Sequence, residues 1–292
     1  MKEDVDPVNA GSVRTVGVVG CGLMGSGIVE VAARGGATVV FVEGTEDLVK
    51  AGRARIEASL GKAVDRGKIE ASDRDVVLQR VSGATALSAL ADADLVIEAA
   101  TEDLEAKLGI FRTLGEVTRD EVVLASNTSS IPIVELAIAS GRPDRVVGMH
   151  FFNPPPVMKL VELTPAFTTS DETLGFVRAY AEALGKTCVL AKDQAGFIVN
   201  RLLIPYLFDA VRLYDEGFAT REDIDTAIEL GLAHPMGPLR LMDLVGNDTT
   251  LAIGEVLFEE FRDPRYAPPP LLRRMVAAGH LGRKSGRGFY DY

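Results

Sequence analysis

Short runs of β-branched and aliphatic residues alternate with helical patterns through about two thirds of the chain. The strand-like runs are TVGVVG, ATVVFVE, ADLVIEA, VVLAS, RVVGMHFF, VMKLVELT and TCVLAKD. Continuous apolar runs of this length are typical of buried strands in a parallel sheet. Beyond them the apolar residues follow a helical period, in GFIVNRLLIPYLFDAVRLYDEG and the segments after it. The pattern predicts an α/β domain over residues 1–192 and an all-helical domain over residues 193–292.

The first strand is followed by a glycine motif. Gly20, Gly22 and Gly25 form G-x-G-x-x-G between a strand and a helix, and Glu43 ends the second strand. These glycines suit a tight turn, close approach of a pyrophosphate and close helix packing, and a helix N-terminus attracts the diphosphate. The motif predicts a Rossmann-type dinucleotide site, although FAD uses the same fingerprint. The residues predicted to bind the cofactor here are Gly20, Gly22, Leu23, Met24, Gly25 and Glu43.

Residues 46–80 interrupt the alternation of strands and helices. They predict two helices joined near Gly67, inserted into the α/β domain. The first helix carries Arg53, Arg55, Lys62 and Arg66, the densest basic cluster in the chain. Such a cluster suits an anionic ligand, but a solvated helix face has the same composition, and both interpretations stay open.

Composition excludes several classes of function. The 292 residues include 31 basic and 42 acidic side chains, a net charge of -11, which argues against a nucleic-acid or membrane-surface protein. The chain shows no apolar run near the ~18 residues that a membrane-spanning helix needs. Two cysteines provide no disulfide framework, and the acidic N-terminal residues do not resemble a signal peptide. We therefore expect a cytoplasmic protein.

One histidine and one glutamate are candidates for acid–base chemistry. His150 ends the strand RVVGMHFF, and Glu162 lies in the next strand, beyond the turn NPPP. A hairpin that folds about Pro156 pairs position 150 with position 162 on one face. The pair would form a general base with an orienting carboxylate. The alternative is a core histidine with an incidental ion pair.

Polar residues follow the strand VVLAS. Asn127, Ser129 and its neighbours lie where ligands bind in open α/β sheets, at the carboxyl ends of strands. They are equally suited to capping the helix that begins near Pro132. Asn200 stands within an apolar helical pattern, where it either bonds a neighbouring helix or contacts substrate. No spacing of His, Cys and carboxylates predicts a metal site.

Five segments carry a resemblance to a known family. ASNTSS, GMHFFNPPPVMKLVEL, KDQAGFIVNRLLIPYL, HPMGPLRLMDLVGNDTT and GRKSGRGFYDY resemble the L-3-hydroxyacyl-CoA dehydrogenase family, and most closely its bacterial short-chain 3-hydroxybutyryl-CoA dehydrogenases. The resemblance covers residues 14–292. The turn NPPP has a proline where the family commonly has a branched residue, and Asn247 stands where an apolar residue is usual, near the expected dimer face.

The resemblance implies roles for individual residues. His150 would be the general base with Glu162 as its partner, and Ser129 and Asn200 would hydrogen-bond the substrate. NAD contacts are implied at Glu43, Glu102, Lys107 and Asn127. Contacts with the CoA substrate are implied at Ser59 and Arg66, with Lys68 close by. A homodimer through residues 193–292 is also implied.

The expected reaction is NAD-dependent interconversion of an (S)-3-hydroxyacyl-CoA and the 3-ketoacyl-CoA. One alternative is a related dehydrogenase of a free hydroxy acid or sugar acid such as gulonate. Another is a non-catalytic relative of the lens-crystallin kind. The intact glycine motif, His150 and Glu162 argue against the second alternative.

Overall fold

The computed structural model describes residues 13–292, which contain a single eight-stranded sheet. Numbered along the chain, the strands are β1 Thr15–Val19, β2 Thr38–Val42, β3 Val81–Ala84, β4 Leu95–Glu98, β5 Val123–Ser126, β6 Val146–Phe151, β7 Leu160–Pro165 and β8 Thr187–Leu190. Their order across the sheet is β3-β2-β1-β4-β5-β6-β7-β8. All neighbours are parallel except β6 and β7, which form an antiparallel pair. The predicted α/β fold class is confirmed.

Helices cover both faces of this sheet. Those of the sheet-containing unit are α1 Leu23–Arg34, α2 Glu46–Asp65, α3 Ala71–Gln79, α4 Leu104–Val117, α5 Ile133–Ala139 and α6 Asp171–Ala183. One face buries Val16 and Phe41 with Ile28 of α1, in a cluster that also includes residues of α2, α3 and α6. The other face buries Val19 and Leu124 with residues of α4 and α5. Burial on both faces explains why the strands are continuously apolar.

Residues 46–80 form the expected helical pair. Glu46 and Asp47 lie in the first turn of α2, which begins at a Thr45 cap, and Gly67 separates α2 from α3 with a φ of 65°. A positive φ at this point favours glycine because other side chains are strained there. The following strand β3 was not predicted, since VSGA is short and half of its residues are exposed.

A second compact unit begins after Asp193 and is built from helices. Its helices are α7 Val199–Asp215, α8 Arg221–Gly231, α9 Pro238–Val245, α10 Asn247–Phe261 and α11 Pro270–Ala277. α9 and α10 are separate helices because Gly246 between them has a φ of 106°. Phe208, Met242 and Leu257 lie in the core of this unit.

The buried Asp243 organises the end of the chain within this unit. Its carboxylate accepts hydrogen bonds from the backbone N–H groups of Phe289 and Tyr290, both at 2.9 Å. The Asn247 amide donates to the same carboxylate at 3.2 Å and to the His280 carbonyl at 2.9 Å. Asn247 is fully buried within its own chain, so its side chain does not reach the surface of that chain, and the position of a dimer face near it stays a prediction.

No helix within residues 13–292 combines the length and the apolarity that crossing a membrane would require.

Candidate active site

Three neighbouring strands end at the same side of the sheet, and His150 and the polar loop after β5 lie there. β4 ends at Glu98, which is aligned with Ser126, the last residue of β5. Ser126 is aligned in turn with Gly148 of β6, and His150 follows just beyond it. The parallel register therefore gathers polar side chains from three strands at the edge where open α/β sheets bind ligands.

The antiparallel pair β6–β7 places His150 opposite Glu162. His150 Nδ1 lies 2.8 Å from Glu162 Oε2, and Glu162 is completely buried whereas His150 is 8% exposed. The Phe152 ring stands edge-on to the imidazole at a centroid distance of 4.8 Å. In the tautomer that donates from Nδ1 to this carboxylate oxygen, Nε2 is the free, basic nitrogen of the neutral ring. The pair has the chemistry of a general base with an orienting acid.

The loop after β5 is held on both sides. Asn127 Oδ1 accepts a hydrogen bond from the Phe151 N–H at 2.9 Å, which ties the loop to the strand that carries His150. Glu102 Oε1 accepts from the N–H groups of Ser129 at 2.9 Å and Ser130 at 3.2 Å. These bonds fix the backbone at Ser129, one of the two implied substrate contacts.

Helix α5 takes its N-terminal cap from a residue that sequence reasoning missed. Asp193 accepts hydrogen bonds from the N–H groups of Ile133 at 2.9 Å and Val134 at 3.0 Å. Burial raises the pKa of Asp193, while these two donors oppose the rise. The first donors of α5 are thus bonded from a distant segment, which weakens the alternative role of Ser129 and Ser130 as helix caps.

The glycine loop fits a dinucleotide. Gly20 has a φ of 86°, and a Cβ on Gly25 would lie 1.9 Å from the Gly20 carbonyl oxygen, so both positions require glycine. Around Gly22 an added Cβ would meet nothing within 4 Å, which leaves open space above the loop. No side chain of the described residues caps α1 at Gly22, so its first N–H groups can bind a diphosphate. Leu23 and Met24 begin this helix, and Leu23 is 69% exposed.

Glu43 follows β2 directly and faces the glycine loop. Its Oε1 accepts a hydrogen bond from the Cys21 N–H at 2.6 Å. This position suits a carboxylate that would bind the ribose hydroxyls of a dinucleotide. Burial first, and then the Glu43 charge, raises the pKa of the Cys21 thiol to about 12. The thiol therefore stays protonated at neutral pH and does not act as a nucleophile.

Comparison with known proteins decides between the families that share this loop. Residues 15–194 match the family model for the NAD-binding domain of 3-hydroxyacyl-CoA dehydrogenase, and residues 196–292 match the model for its C-terminal domain. The chain belongs to the 3-hydroxyacyl-CoA dehydrogenase family. Its dinucleotide is therefore NAD rather than FAD.

Individual relatives of this dehydrogenase are similar over nearly their whole length. The chain is 52% identical to a 3-hydroxybutyryl-CoA dehydrogenase of Mycobacterium tuberculosis, covering 96% of this chain and 99% of the relative. It is 49% identical to a probable 3-hydroxybutyryl-CoA dehydrogenase of Deinococcus radiodurans, covering 94% and 99%. The crystal structure of (S)-3-hydroxybutyryl-CoA dehydrogenase from Ralstonia eutropha superposes with a TM-score of 0.91 at 46% identity, covering 96% and 99%.

A buried ion pair supports the site of the dehydrogenase, and sequence reasoning did not identify it. Glu98 is completely buried, and its Oε1 lies 2.5 Å from Lys107 Nζ and 2.7 Å from the Ala100 nitrogen. Its other oxygen accepts a hydrogen bond from Ser126 Oγ at 2.7 Å. Only 1% of the Lys107 side chain is exposed. Because so little of the Lys107 side chain is accessible, it is better placed to support the loop through this ion pair than to make the implied cofactor contact.

Lys107 also forms an ion pair with Glu102. The two charged groups are 3.5 Å apart, and 40% of the Glu102 side chain is exposed. Burial alone would raise the pKa of Glu102, but Lys107 and hydrogen bonds from Thr128, Ser129 and Ser130 hold it below its ordinary value. Glu102 is therefore a carboxylate at neutral pH, and its charge keeps the loop after β5 in place.

The implied CoA residues lie on the helical pair. Ser59 is exposed on α2, Arg66 is exposed at the C-terminal end of that helix, and Lys68 is exposed just beyond it. Arg53 and Arg55 on the same helix instead donate to backbone carbonyls of the sheet-containing unit. Arg66 and Lys68 thus lie exposed where α2 turns into α3, one turn beyond the exposed Lys62.

Asn200 belongs to the helical unit. It lies in the first turn of α7 and is half-buried, rather than enclosed within the helix as the apolar pattern suggested. A half-buried amide can hydrogen-bond water, so Asn200 has less need of a protein partner than a fully buried one. Among the side chains of residues 13–292, no cluster of His, Cys, Asp and Glu is arranged to hold a metal ion.

Proposed function

We propose that this dehydrogenase interconverts short-chain (S)-3-hydroxyacyl-CoA, such as 3-hydroxybutyryl-CoA, and the corresponding 3-ketoacyl-CoA. The observation that supports this most directly is the 2.8 Å contact between His150 Nδ1 and the buried Glu162 at the carboxyl edge of the sheet. The names of the similar bacterial proteins support the choice of substrate.

In this proposal His150 Nε2 removes the proton from the substrate's C3 hydroxyl during oxidation. Glu162 fixes the ring through Nδ1 and stabilises the imidazolium that forms. In the reverse direction His150 returns the proton to the oxygen on C3. Ser129 and Asn200 would donate hydrogen bonds that hold the substrate oxygens in place.

Residues of the glycine loop would hold the NAD. The N–H groups at the start of α1 would bind the diphosphate, and Glu43 would accept from the adenosine ribose. Asn127 and Glu102 lie at the next strand ends, where the resemblance implies further contacts. When bound, NAD supplies the carbon that accepts or donates the hydride.

The test compares wild type with His150→Gln and Glu162→Gln, using NADH and acetoacetyl-CoA. His150→Gln should lower kcat about a thousandfold, the order of magnitude for loss of a positioned base, while the Kd for NADH stays unchanged. Glu162→Gln should also lower kcat, since it leaves the imidazolium unsupported. A His150→Gln variant that keeps more than about a tenth of wild-type kcat would refute the assignment.

The same assay separates the alternatives. Wild-type turnover of acetoacetyl-CoA but not free acetoacetate supports a CoA substrate, whereas preference for a free hydroxy acid would contradict the proposal. An absence of turnover with every substrate would favour a non-catalytic relative. A series of 3-ketoacyl-CoA substrates of increasing length then measures the chain-length preference.

We further propose a homodimer through residues 193–292. The helical unit exposes several large apolar side chains, which one chain alone leaves in contact with water. They include Leu202 at 70%, Phe218 at 77%, Leu230 at 81% and Leu232 at 60% exposure. Light scattering should give twice the chain mass of 31.2 kDa at micromolar concentration. A mass equal to one chain would contradict the dimer.

A further inference from the structure

The turn that joins β6 to β7 packs directly on the helix of the glycine loop. A Cβ added to Gly27, in the middle of α1, would lie 2.6 Å from Pro155 Cδ and 2.8 Å from Pro155 Cγ. Carbon atoms do not approach this closely, so the ring occupies space that only a glycine leaves open. Pro155 is itself buried, and its ring can move away from α1 only by a change of pucker, because its φ is fixed.

A lysine holds the same turn from another side. Lys186 Nζ donates to the Pro155 carbonyl at 2.6 Å and to the Met158 carbonyl at 2.8 Å. Lys186 directly precedes β8, whose first residue Thr187 is aligned with Leu160 at the start of β7. The turn is therefore fixed by the glycine-loop helix, by an ammonium group and by the strand ladder.

We propose that Gly27, Pro155 and Lys186 are positioning residues that hold the hairpin of His150 and Glu162 against α1. The proposal rests on the role of His150 proposed above. Since α1 begins at the glycine loop, the contact between Gly27 and Pro155 fixes the distance of the general base from the helix that would bind the NAD diphosphate. Proline at position 155 makes the β6–β7 turn rigid at this contact, because its fixed φ restricts how far the backbone can move.

The size of the kcat loss expected for Gly27→Ala follows from the contact distance. Ordinary carbon–carbon contacts are about 3.5–4.0 Å, so a Cβ on Gly27 forces the turn away by up to ~1 Å. A displacement of that size at a reacting group lowers a rate by as much as about 100-fold. We expect Gly27→Ala to lower kcat for acetoacetyl-CoA by about 10- to 100-fold, with little change in KM for acetoacetyl-CoA or in the Kd for NADH.

The decisive variant is Gly27→Ala combined with Pro155→Ala. Removing the ring atoms that meet the new Cβ should restore kcat to the level of Pro155→Ala alone, which is the coupling expected of residues in contact. The matched control is Gly175→Ala in α6, where an added Cβ meets nothing within 4 Å, and its kcat should equal that of wild type. Both substitutions replace a glycine within a helix, so the control measures the general effect of alanine.

Lys186 provides an independent test if Gly27→Ala does not fold. Lys186→Met keeps the aliphatic chain but loses both bonds to the turn, and it should lower kcat with unchanged NADH affinity. Lys186→Arg should recover most of that loss. The proposal is overturned if Gly27→Ala keeps wild-type kcat, if Pro155→Ala does not relieve its defect, or if Lys186→Met behaves as wild type. A His150→Gln enzyme that stays active would instead refute the underlying function.

Discussion

The buried pair of Lys107 and Glu98 allows a test of whether Lys107 supports the site or contacts the cofactor. Lys107→Met leaves the Glu98 carboxylate with its bonds to Ala100 and Ser126 but without a countercharge. Removing one partner of a fully buried ion pair destabilises a protein by about 3–5 kcal/mol. At about 2–4 °C per kcal/mol for a domain of this size, Tm should fall by roughly 6–20 °C.

The double variant Lys107→Met with Glu98→Gln removes both charges. The Gln oxygen can still accept from the Ala100 N–H, and replacing a whole buried pair by neutral groups is often close to neutral. We therefore expect the double variant to recover most of the lost stability. Its Kd for NADH should stay within about threefold of the wild-type value, because an ammonium buried against Glu98 would make no contact with a bound cofactor.

Thermal unfolding followed by circular dichroism measures the stability, and quenching of NADH fluorescence measures the affinity. A Lys107→Met variant as stable as wild type would refute the buried-pair argument. A double variant that is folded but binds NADH more than about tenfold more weakly would show that Lys107 contacts the cofactor, as the resemblance implies.

Three further predictions concern the cofactor, the substrate and pH. NADH should exceed NADPH in kcat/KM by about tenfold or more because Glu43 repels a 2′-phosphate, and equal values would contradict its role. The Arg66→Ala, Lys68→Ala double variant should raise KM for acetoacetyl-CoA but not for an N-acetylcysteamine thioester, and added salt should weaken the binding of the CoA substrate alone. Equal effects on both thioesters would exclude the helical pair as the CoA contact. The lowered pKa of Glu102 contributes stability that is complete above its ordinary value of 4.5 and is lost as pH falls through the folded value. Wild type should therefore lose stability more steeply than Glu102→Gln below about pH 5, and parallel pH profiles would contradict this.

The sequence was sufficient for seven of the eight strands and for the pairing of β6 with β7. Apolar runs, the glycine motif and the later helical period are local signals, and they predicted the α/β class and the helical second unit. The alignment of His150 with Glu162 was also accessible, because a turn centred near Pro156 determines which positions of an antiparallel pair face each other.

Other features depend on contacts between distant segments. Lys107 is buried where its ammonium pairs with Glu98, whose other oxygen accepts from Ser126 of the neighbouring strand, and a lysine in a helix gives no local sign of this. The cap that Asp193 provides for α5 joins residues about sixty positions apart. Strand β3 lacked a strong apolar run, and Asn247 is buried with its amide bonded to the His280 carbonyl, 33 positions away.

The helical pair is attached at a place in the topology where an addition disturbs little. It lies between β2 and β3, and β3 is the edge strand of the sheet, so no central strand depends on its length. A crossover between parallel strands needs about a dozen residues, and residues 43–80 are roughly three times as many. Since closure entropy grows only with the logarithm of length, the longer connection adds about 1 kcal/mol. Since Ile56, Leu60 and Val77 of the pair lie in the buried cluster on one face of the sheet, the longer connection offsets this small entropic cost by burying apolar surface, and only its outward face is free to vary in sequence.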